Sequence, residues 1–333
     1  MSERNRRALR SIEMATHCVP DLQMCITAYR DLLHYTVIDE GCLPETLTQA
    51  WGTPGMRGMP YALLQPASGA AVYLRFIETG NKAGYWPPVT QGWIATEVLT
   101  TDPDAVLEAL REGRSALQTA EPRQNISAEP PHVDSGAGYL AGFTHIGGPA
   151  DLYPSPKSAR ALQMAGPAGE LIYFTRILPG GSRFGLHGAK SFVDRPFIMV
   201  VGGTSLSDLH RFYGATLGLR IWPQAPFRIT QMSRVLGLPP ETAYPISLAR
   251  IPGRSFLLEL EELPAYIQRR KVPDGQLPEG LAMVAFAAAP LHELRIDYRA
   301  EPRAIHLPPY NGRKVAVTTG PAGEWLELIE SSR

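Results

Sequence analysis

A pentapeptide, Gly-Pro-Ala-Gly-Glu, occurs twice in this chain, at positions 166–170 and 320–324. Each copy runs directly into a stretch of apolar residues, and a turn rich in Gly and Pro before such a stretch predicts a β-strand. A turn and a strand repeated this closely indicate a duplicated architecture, which constrains the fold more than any other feature. The two strands differ at equivalent positions, where one has Tyr173 and the other Glu327.

Longer stretches repeat at a constant spacing. Tyr29 and Tyr213 lie in similar helix-like runs, and the strand-like run 72–76 precedes 256–260 by the same number of positions. Each half divides again, because a strand-like run opens a new unit near the middle of each half. The pattern predicts an α+β chain of four β-α-β-β-β modules.

The modules are expected to group in sequence order. Two of them make an N-terminal domain, 11–177, which contains a Pro- and Gly-rich insertion at 115–160. A linker at 178–195 follows, and two more modules make a C-terminal domain, 196–330. The insertion is long for a plain loop, so we expect it to form a lid or an interdomain cover.

The composition excludes several classes of partner. Lys and Arg together number 32, as do Asp and Glu, so no net charge attracts nucleic acid or an anionic membrane. No apolar stretch is long enough to cross a bilayer, and no leader peptide is visible. The 3 cysteines are not spaced as a zinc knuckle, which favours a reducing, cytoplasmic location. The expected partner is a small-molecule substrate, and a homodimer is left open.

One signature suggests a family. Phe212-Tyr213 is followed by Leu217-Gly218, and Tyr29 is followed at the same distance by Leu33-His34. With the flanking strands, this pattern resembles the vicinal oxygen chelate superfamily, which includes glyoxalase I, bleomycin-resistance proteins and extradiol dioxygenases. The resemblance implies that paired modules form two cup-shaped domains of mixed sheet. It also implies a divalent metal held by histidines from the first strands and a glutamate from a last strand.

The metal ligands of that superfamily are nearly all absent from this chain. The histidine positions correspond to Met14, Ile198 and, less directly, Ala95 and Met283; the glutamate positions correspond to Tyr73, Tyr173, Leu257 and Glu327. Only Glu327 keeps a ligating side chain, which is too few for a divalent ion. We therefore expect no metal at the family position and no cofactor. A relocated metal site stays an alternative.

The remaining side chains in the expected cups are the candidate site. Four are assigned catalytic roles as acid, base or charge-stabilising groups: Glu327, Tyr173, Glu259 and Arg75. Six are assigned to substrate binding: Tyr73, Glu97, His145, His187, Met14 and Ile198. Each has a structural alternative, such as a carboxylate on an exposed edge strand for Glu327 or a core aromatic for the tyrosines.

Three functions fit these residues. The first is a glyoxalase-like, metal-independent enzyme for acid/base isomerisation or elimination on a small, largely apolar or aromatic oxygenated catabolite. The second is a metal-dependent extradiol-type dioxygenase with relocated ligands, for which His145 and His187 are the candidates. The third is a non-catalytic small-molecule binder of the drug-resistance type. No hydrolase nucleophile elbow, phosphate loop or dinucleotide glycine pattern is present.

Overall fold

The structure is a computed structural model of the chain. It describes residues 8–80, 89–117, 139–140, 142–182, 184–229, 232–233, 236–253 and 255–331. Four successive groups of strands follow the predicted modules. The first group has β1 (Leu9–Val19), β2 (Tyr35–Cys42), β3 (Pro60–Pro66) and β4 (Tyr73–Glu78), with helices α1 (Leu22–Thr27) and α2 (Glu45–Trp51).

The other groups continue in the same order. The second has β5 (Thr90–Thr100), α3 (Pro103–Leu117), β6 (Tyr139–Leu140), β7 (Phe143–Asp151), β8 (Arg160–Ala165) and β9 (Leu171–Arg176). The third has β10 (Val193–Gly203), α4 (Leu206–His210), β11 (Arg220–Ile221), β12 (Ala225–Arg228), β13 (Ala243–Ile251), β14 (Phe256–Glu262) and β15 (Gln268–Arg269). The fourth has β16 (Gly280–Ala288), β17 (Arg303–Ala304), β18 (Lys314–Thr319) and β19 (Trp325–Glu330). The α+β class and the mixed sheets are as predicted.

The modules pair differently from the expected grouping. One sheet has eight strands in the order β17-β18-β19-β16-β1-β4-β3-β2, which joins the first module to the fourth. The other has eleven strands and joins the second module to the third through β10 and β5. Segments 11–177 and 196–330 therefore each contribute to both sheets. Neither is a self-contained cup, because β1 pairs antiparallel with β16 at the centre of one sheet and β5 pairs antiparallel with β10 at the centre of the other.

Matching side chains anchor the first helix of each sequence half. Asp21 caps α1 by accepting from the Met24 amide, and Ser205 caps α4 by accepting from the Asp208 amide. A short π-helical turn follows each helix, at Ala28–Leu32 and Arg211–Thr216. The fourth module departs from the expected β-α-β-β-β order. Among its described residues, a single 3₁₀ turn at Leu291–Glu293 replaces the helix.

Part of the expected insertion is regular structure. Strand β7, Phe143–Asp151, pairs antiparallel with β8 and belongs to the second module. The end of the expected linker also belongs to a strand, since β10 begins at Val193. Residues 118–138 of the expected lid lie outside the described residues.

The largest apolar core packs the helices against both sheets. It includes Tyr29 beside α1 and Val106 of α3, together with Phe76, Phe174 and Phe286 from strands of the two sheets. Each of these side chains is fully buried. None of the helices in the described part of the chain has the length and apolar character required to cross a membrane.

The two Gly-Pro-Ala-Gly-Glu turns share one detailed geometry. The second glycine of each is left-handed, with φ of +79° at Gly169 and +83° at Gly323. The glutamate side chain folds back over the first glycine, so a Cβ on Gly166 would lie 1.9 Å from Glu170 Oε1. In the second copy, a Cβ on Gly320 would lie 2.0 Å from Glu324 Oε1. Both glycines are required, one for backbone conformation and one for space.

Each folded-back glutamate fastens its module to the preceding one. The Tyr29 hydroxyl donates to Glu170 Oε1 at 2.7 Å, and the Ala168 amide donates to Oε2 at 2.8 Å. Tyr213 donates to Glu324 in the same way at 2.9 Å. Burial raises the pKa of both carboxyls to about 7, although these donors oppose the shift. The repeated pentapeptide is thus a structural latch between helix and turn.

Candidate functional site

The two sheets form two cups. We call the face of the eight-stranded sheet that bears Met14, Arg75 and Glu327 the first cup. We call the face of the eleven-stranded sheet that bears Glu97, Tyr173 and Glu259 the second cup. The predicted site residues are therefore divided between two separate places in the fold, and the two cups differ in chemistry.

A closed ion pair occupies the first cup. Arg75 on β4 reaches across the two central strands to Glu327 on β19, with 3.0 Å between Nη2 and Oε2. Thr16 on β1, between them, accepts from Nε and Nη2 of Arg75 at 3.1 and 2.8 Å. Arg75 is 2% exposed and Glu327 is fully buried. Strand β19 is not an edge strand, so the alternative of an exposed edge carboxylate at Glu327 is wrong.

Two aromatic side chains complete this network. Trp51, the last residue of α2, donates to Glu327 Oε1 at 2.7 Å, and its ring lies 4.5 Å from the Arg75 guanidinium carbon. The Tyr310 hydroxyl donates to the same Oε1 at 2.6 Å and accepts from Arg75. Burial acts to lower the pKa of Arg75, but Tyr310 and Glu327 outweigh it and the pKa is raised. The cation and anion are thus satisfied by protein groups alone.

The other predicted residues of this cup are apolar or peripheral. Met14 is fully buried in the apolar cluster around the ion pair, and Tyr73 packs on that cluster partly buried. Burial, and then the charge of Glu13, raise the pKa of Tyr73, which lies near the ion pair of Glu13 with Arg313. The first cup has the composition of a core with one internal salt bridge.

The second cup has a band of carboxyl groups between two apolar ends. On β5, Ala95 and Leu99 belong to different apolar clusters, and Glu97 lies between them on the same face. On β14, Leu257 and Leu263 likewise belong to the two clusters, with Glu259 and Glu261 between them. The alternation of each strand thus directs three glutamates into the middle of the cup.

These carboxyls influence one another. Glu97 is 9% exposed and Glu261 is 2% exposed, whereas Glu259 is partly exposed. Burial, and then the charge of Glu259, raise the pKa of Glu97 to about 8, although a hydrogen bond from Thr175 at 3.2 Å opposes the shift. Burial also raises the pKa values of Glu259 and Glu261, which interact directly through their side chains. Burial therefore favours the protonated forms of all three carboxyls.

Tyr173 faces this band from β9. It pairs with Glu97 across the parallel strands β5 and β9 and is partly exposed. Burial raises its pKa well above the ordinary value, and the charges of Glu261, Glu259 and Glu97 add to the effect. The phenol therefore stays protonated and can donate a hydrogen bond. Ile198 on the other neighbour of β5 also pairs with Glu97 and supplies apolar surface.

The two candidate histidines do not join this group. His145 on β7 is engaged with the Gly148 carbonyl at 2.8 Å through Nε2. His187 contacts the Ser255 hydroxyl at 2.7 Å through Nδ1. Among the described residues, no three side chains of His, Cys, Asp or Glu are arranged to hold a metal ion.

Solved structures have a similar fold. A variant of glyoxalase I from Zea mays aligns over 96% of this chain and 93% of its own with a TM-score of 0.56 and 14% identity. A Bacillus subtilis protein designated as a candidate dioxygenase aligns over 98% and 87% with a TM-score of 0.58 and 9% identity. The chain has the vicinal oxygen chelate fold. No protein-family model matches the sequence, and no curated protein does.

The metal that the vicinal oxygen chelate fold implies does not fit the described residues. In the first cup, the retained glutamate already pairs with Arg75, whose guanidinium supplies the positive charge there. In the second cup, the carboxyls do not converge on one ion, and the two predicted histidines bind protein oxygens instead. The chemistry proposed below therefore uses the side chains of this chain alone.

Sequence reasoning missed several residues of the two cups. Glu261 lies two positions after Glu259, so the alternation of a strand places both on one face and was sufficient to find it. Trp51 and Tyr310 come from a short helix and a loop, which carry no periodic signal that aims them at Glu327. The same alternation also predicts that Thr16 shares a strand face with Met14, because the two are two residues apart.

Proposed function

We propose that this chain is an enzyme that transfers a proton at a carbon atom of a small, oxygenated and largely apolar or aromatic substrate, in the second cup. The outcome of that transfer is isomerisation or elimination. The observation that carries the proposal is the band of Glu97, Glu259 and Glu261 between two apolar ends. A group with a pKa of about 8 exchanges a proton readily near neutral pH, as general acid/base catalysis requires.

The roles follow from the chemistry of each group. In its carboxylate form, Glu97 removes a proton from carbon, and the electron pair moves toward the neighbouring oxygen of the substrate. The Tyr173 phenol donates a hydrogen bond to that oxygen as its charge grows. Glu97 then returns that proton, either to another carbon for isomerisation or to a departing hydroxyl for elimination. The apolar ends hold the rest of the substrate.

Hydrogen exchange with solvent tests this proposal across a whole class of candidate substrates. A panel of hydroxy ketones and β-hydroxy carbonyl compounds with aromatic or aliphatic bodies is incubated with the protein in D₂O and followed by NMR. We expect deuterium incorporation or loss of water for some members. The rate should rise with pH toward about 8, because Glu97 must be ionised to act as base.

Matched variants identify the groups responsible. Glu97→Gln should lower the rate by about 100-fold or more, and Tyr173→Phe by about 10-fold, while the fold survives. Glu301→Gln changes an exposed glutamate and serves as control. An unchanged rate in Glu97→Gln contradicts the proposal. Binding of panel members without any exchange would instead favour a non-catalytic binder.

A further inference from the structure

The polar groups at the centre of the second cup are unbalanced in hydrogen bonding. Glu97, Glu259 and Glu261 supply six carboxyl oxygens; Thr175 donates to one of them, and a side-chain hydrogen bond joins Glu259 to Glu261. Glu261 is 2% exposed, and its Oε2 accepts no hydrogen bond from any described donor. Gln163 on β8, which pairs with Tyr173, also has a buried Oε1 without a donor. A buried acceptor without a donor is costly and is normally satisfied by a partner.

The charged groups around the band do not correct this imbalance. No Lys or Arg is among the described groups that act electrostatically on Glu97, Glu259, Glu261 or Tyr173. Other titratable groups on the neighbouring strands include Arg250 and Tyr244 of β13, which are exposed and buried respectively, and Arg176 of β9 and Arg195 of β10, which are half-buried. His187 binds Ser255. The first cup is different, because Arg75 there neutralises Glu327.

We propose that the second cup selects a ligand with a protonated amine, or another nitrogen group with several N–H donors, joined to an apolar body. The amine lies on Glu259 and Glu261, and the apolar body lies against the ends of the cup lined by Ala95 and Leu171 on one side and Leu99 and Ile198 on the other. This inference rests on the site of the proposed function and names the class of its substrate.

The arrangement favours an organic cation over a metal ion. Three carboxyls that do not converge on one point cannot coordinate a single ion, whereas an ammonium group presents three donors in different directions. An anionic ligand would meet the carboxyls without any described cation to offset the repulsion. The binding of a cation should also release protons, because burial raises the pKa values of the three carboxyls and so favours their protonated forms.

Three probes with one aromatic body separate these cases. Phenethylammonium, 2-phenylethanol and 3-phenylpropionate are titrated into the full-length protein by calorimetry at pH 7, in two buffers of different ionisation enthalpy. We expect the cation to bind at least about 10-fold more tightly than the alcohol, and the anion more weakly than either. The cation alone should release protons, and its affinity should rise between pH 6.5 and 8.5.

Variants and a competitor make the result decisive. Glu261→Gln should remove most of the preference for the cation over the alcohol, and Glu301→Gln should leave both affinities unchanged. Equal affinities for the three probes, tighter binding of the anion, no binding of any probe, or stoichiometric Mn²⁺ that displaces the cation would each overturn the inference. Deuterium exchange that depends on Glu97 without a preference for cations would overturn only this inference. A preference for cations without exchange would overturn only the proposed function.

Discussion

The latch formed by Glu170 gives a sharp test of how burial controls the stability of this protein. The carboxyl is 1% exposed and is held by the Tyr29 hydroxyl and the Ala168 amide. Replacing it by glutamine keeps the size and the acceptor for Tyr29 but removes the ionisation. The second acceptor is also lost, because a glutamine amide nitrogen would face the Ala168 N–H.

The expected magnitude follows from the change in pKa. Folding raises the pKa of Glu170 from 4.5 to about 7, so the folded state favours the protonated carboxyl. Its contribution to the free energy of unfolding is fully present below pH 4.5 and is lost as the pH rises through 7. Over that range the loss is about 3 kcal/mol of unfolding free energy. Glu170→Gln should be less stable than wild type by about 1–2 kcal/mol at pH 5, because the Ala168 N–H lacks an acceptor. By pH 8.5 it should match or exceed wild type.

Urea unfolding at several values between pH 5 and 8.5 measures this difference. Tyr29→Phe removes a hydrogen-bond donor that lowers the pKa of Glu170. The difference in unfolding free energy between this variant and wild type should therefore grow as the pH rises, because the ionised carboxylate loses its donor. Glu324→Gln tests the same effect in the second Gly-Pro-Ala-Gly-Glu turn. The control Glu301→Gln should leave the pH dependence of stability unchanged. If Glu170→Gln retains the full pH dependence of wild type, the reasoning about burial at this position is refuted.

Two further predictions concern the packing of the first cup and the second latch. Arg75→Met should lower the free energy of unfolding by about 3–5 kcal/mol, because Glu327 stays buried without its cation. Adding Glu327→Leu should recover part of that loss in urea unfolding, and additive losses would contradict the account of the ion pair. Gly320→Ala should cost about 2 kcal/mol or more, because its Cβ would lie 2.0 Å from Glu324 Oε1. The matched Gly41→Ala, whose nearest neighbour is 3.9 Å away, should be nearly neutral, and similar losses in both would contradict the steric argument.

The predicted elements and fold class agree with the structure because they depend on local patterns. The alternation of apolar residues in 171–176 and 256–262 can be read from the sequence alone. The strands begin and end within a few residues of the predicted positions. The helix expected in the fourth module is a 3₁₀ turn. Helix α2 was not anticipated, although it supplies Trp51 to the first cup.

The candidate site was predictable only in part. Strand alternation correctly directs attention to Glu97, Tyr173 and Glu259, which share the second cup, but their roles are still predictions. The pairing of modules decided which candidates meet, since Arg75 and Glu327 come from opposite ends of the chain. Pairing between distant strands depends on side chains far apart in sequence, so no local pattern specifies it.

The sequence by itself determined that the architecture is duplicated, that two identical turns each precede a strand, and that the histidines of the family pattern are absent. These properties follow from residue identity and spacing, which need no tertiary contact. The tertiary structure decided that the first module pairs with the fourth, that Arg75 forms an ion pair with Glu327 in the first cup, and that Glu97, Glu259 and Glu261 share the second cup. Burial and the neighbours of each charge set its chemistry, and both arise only when distant strands come together.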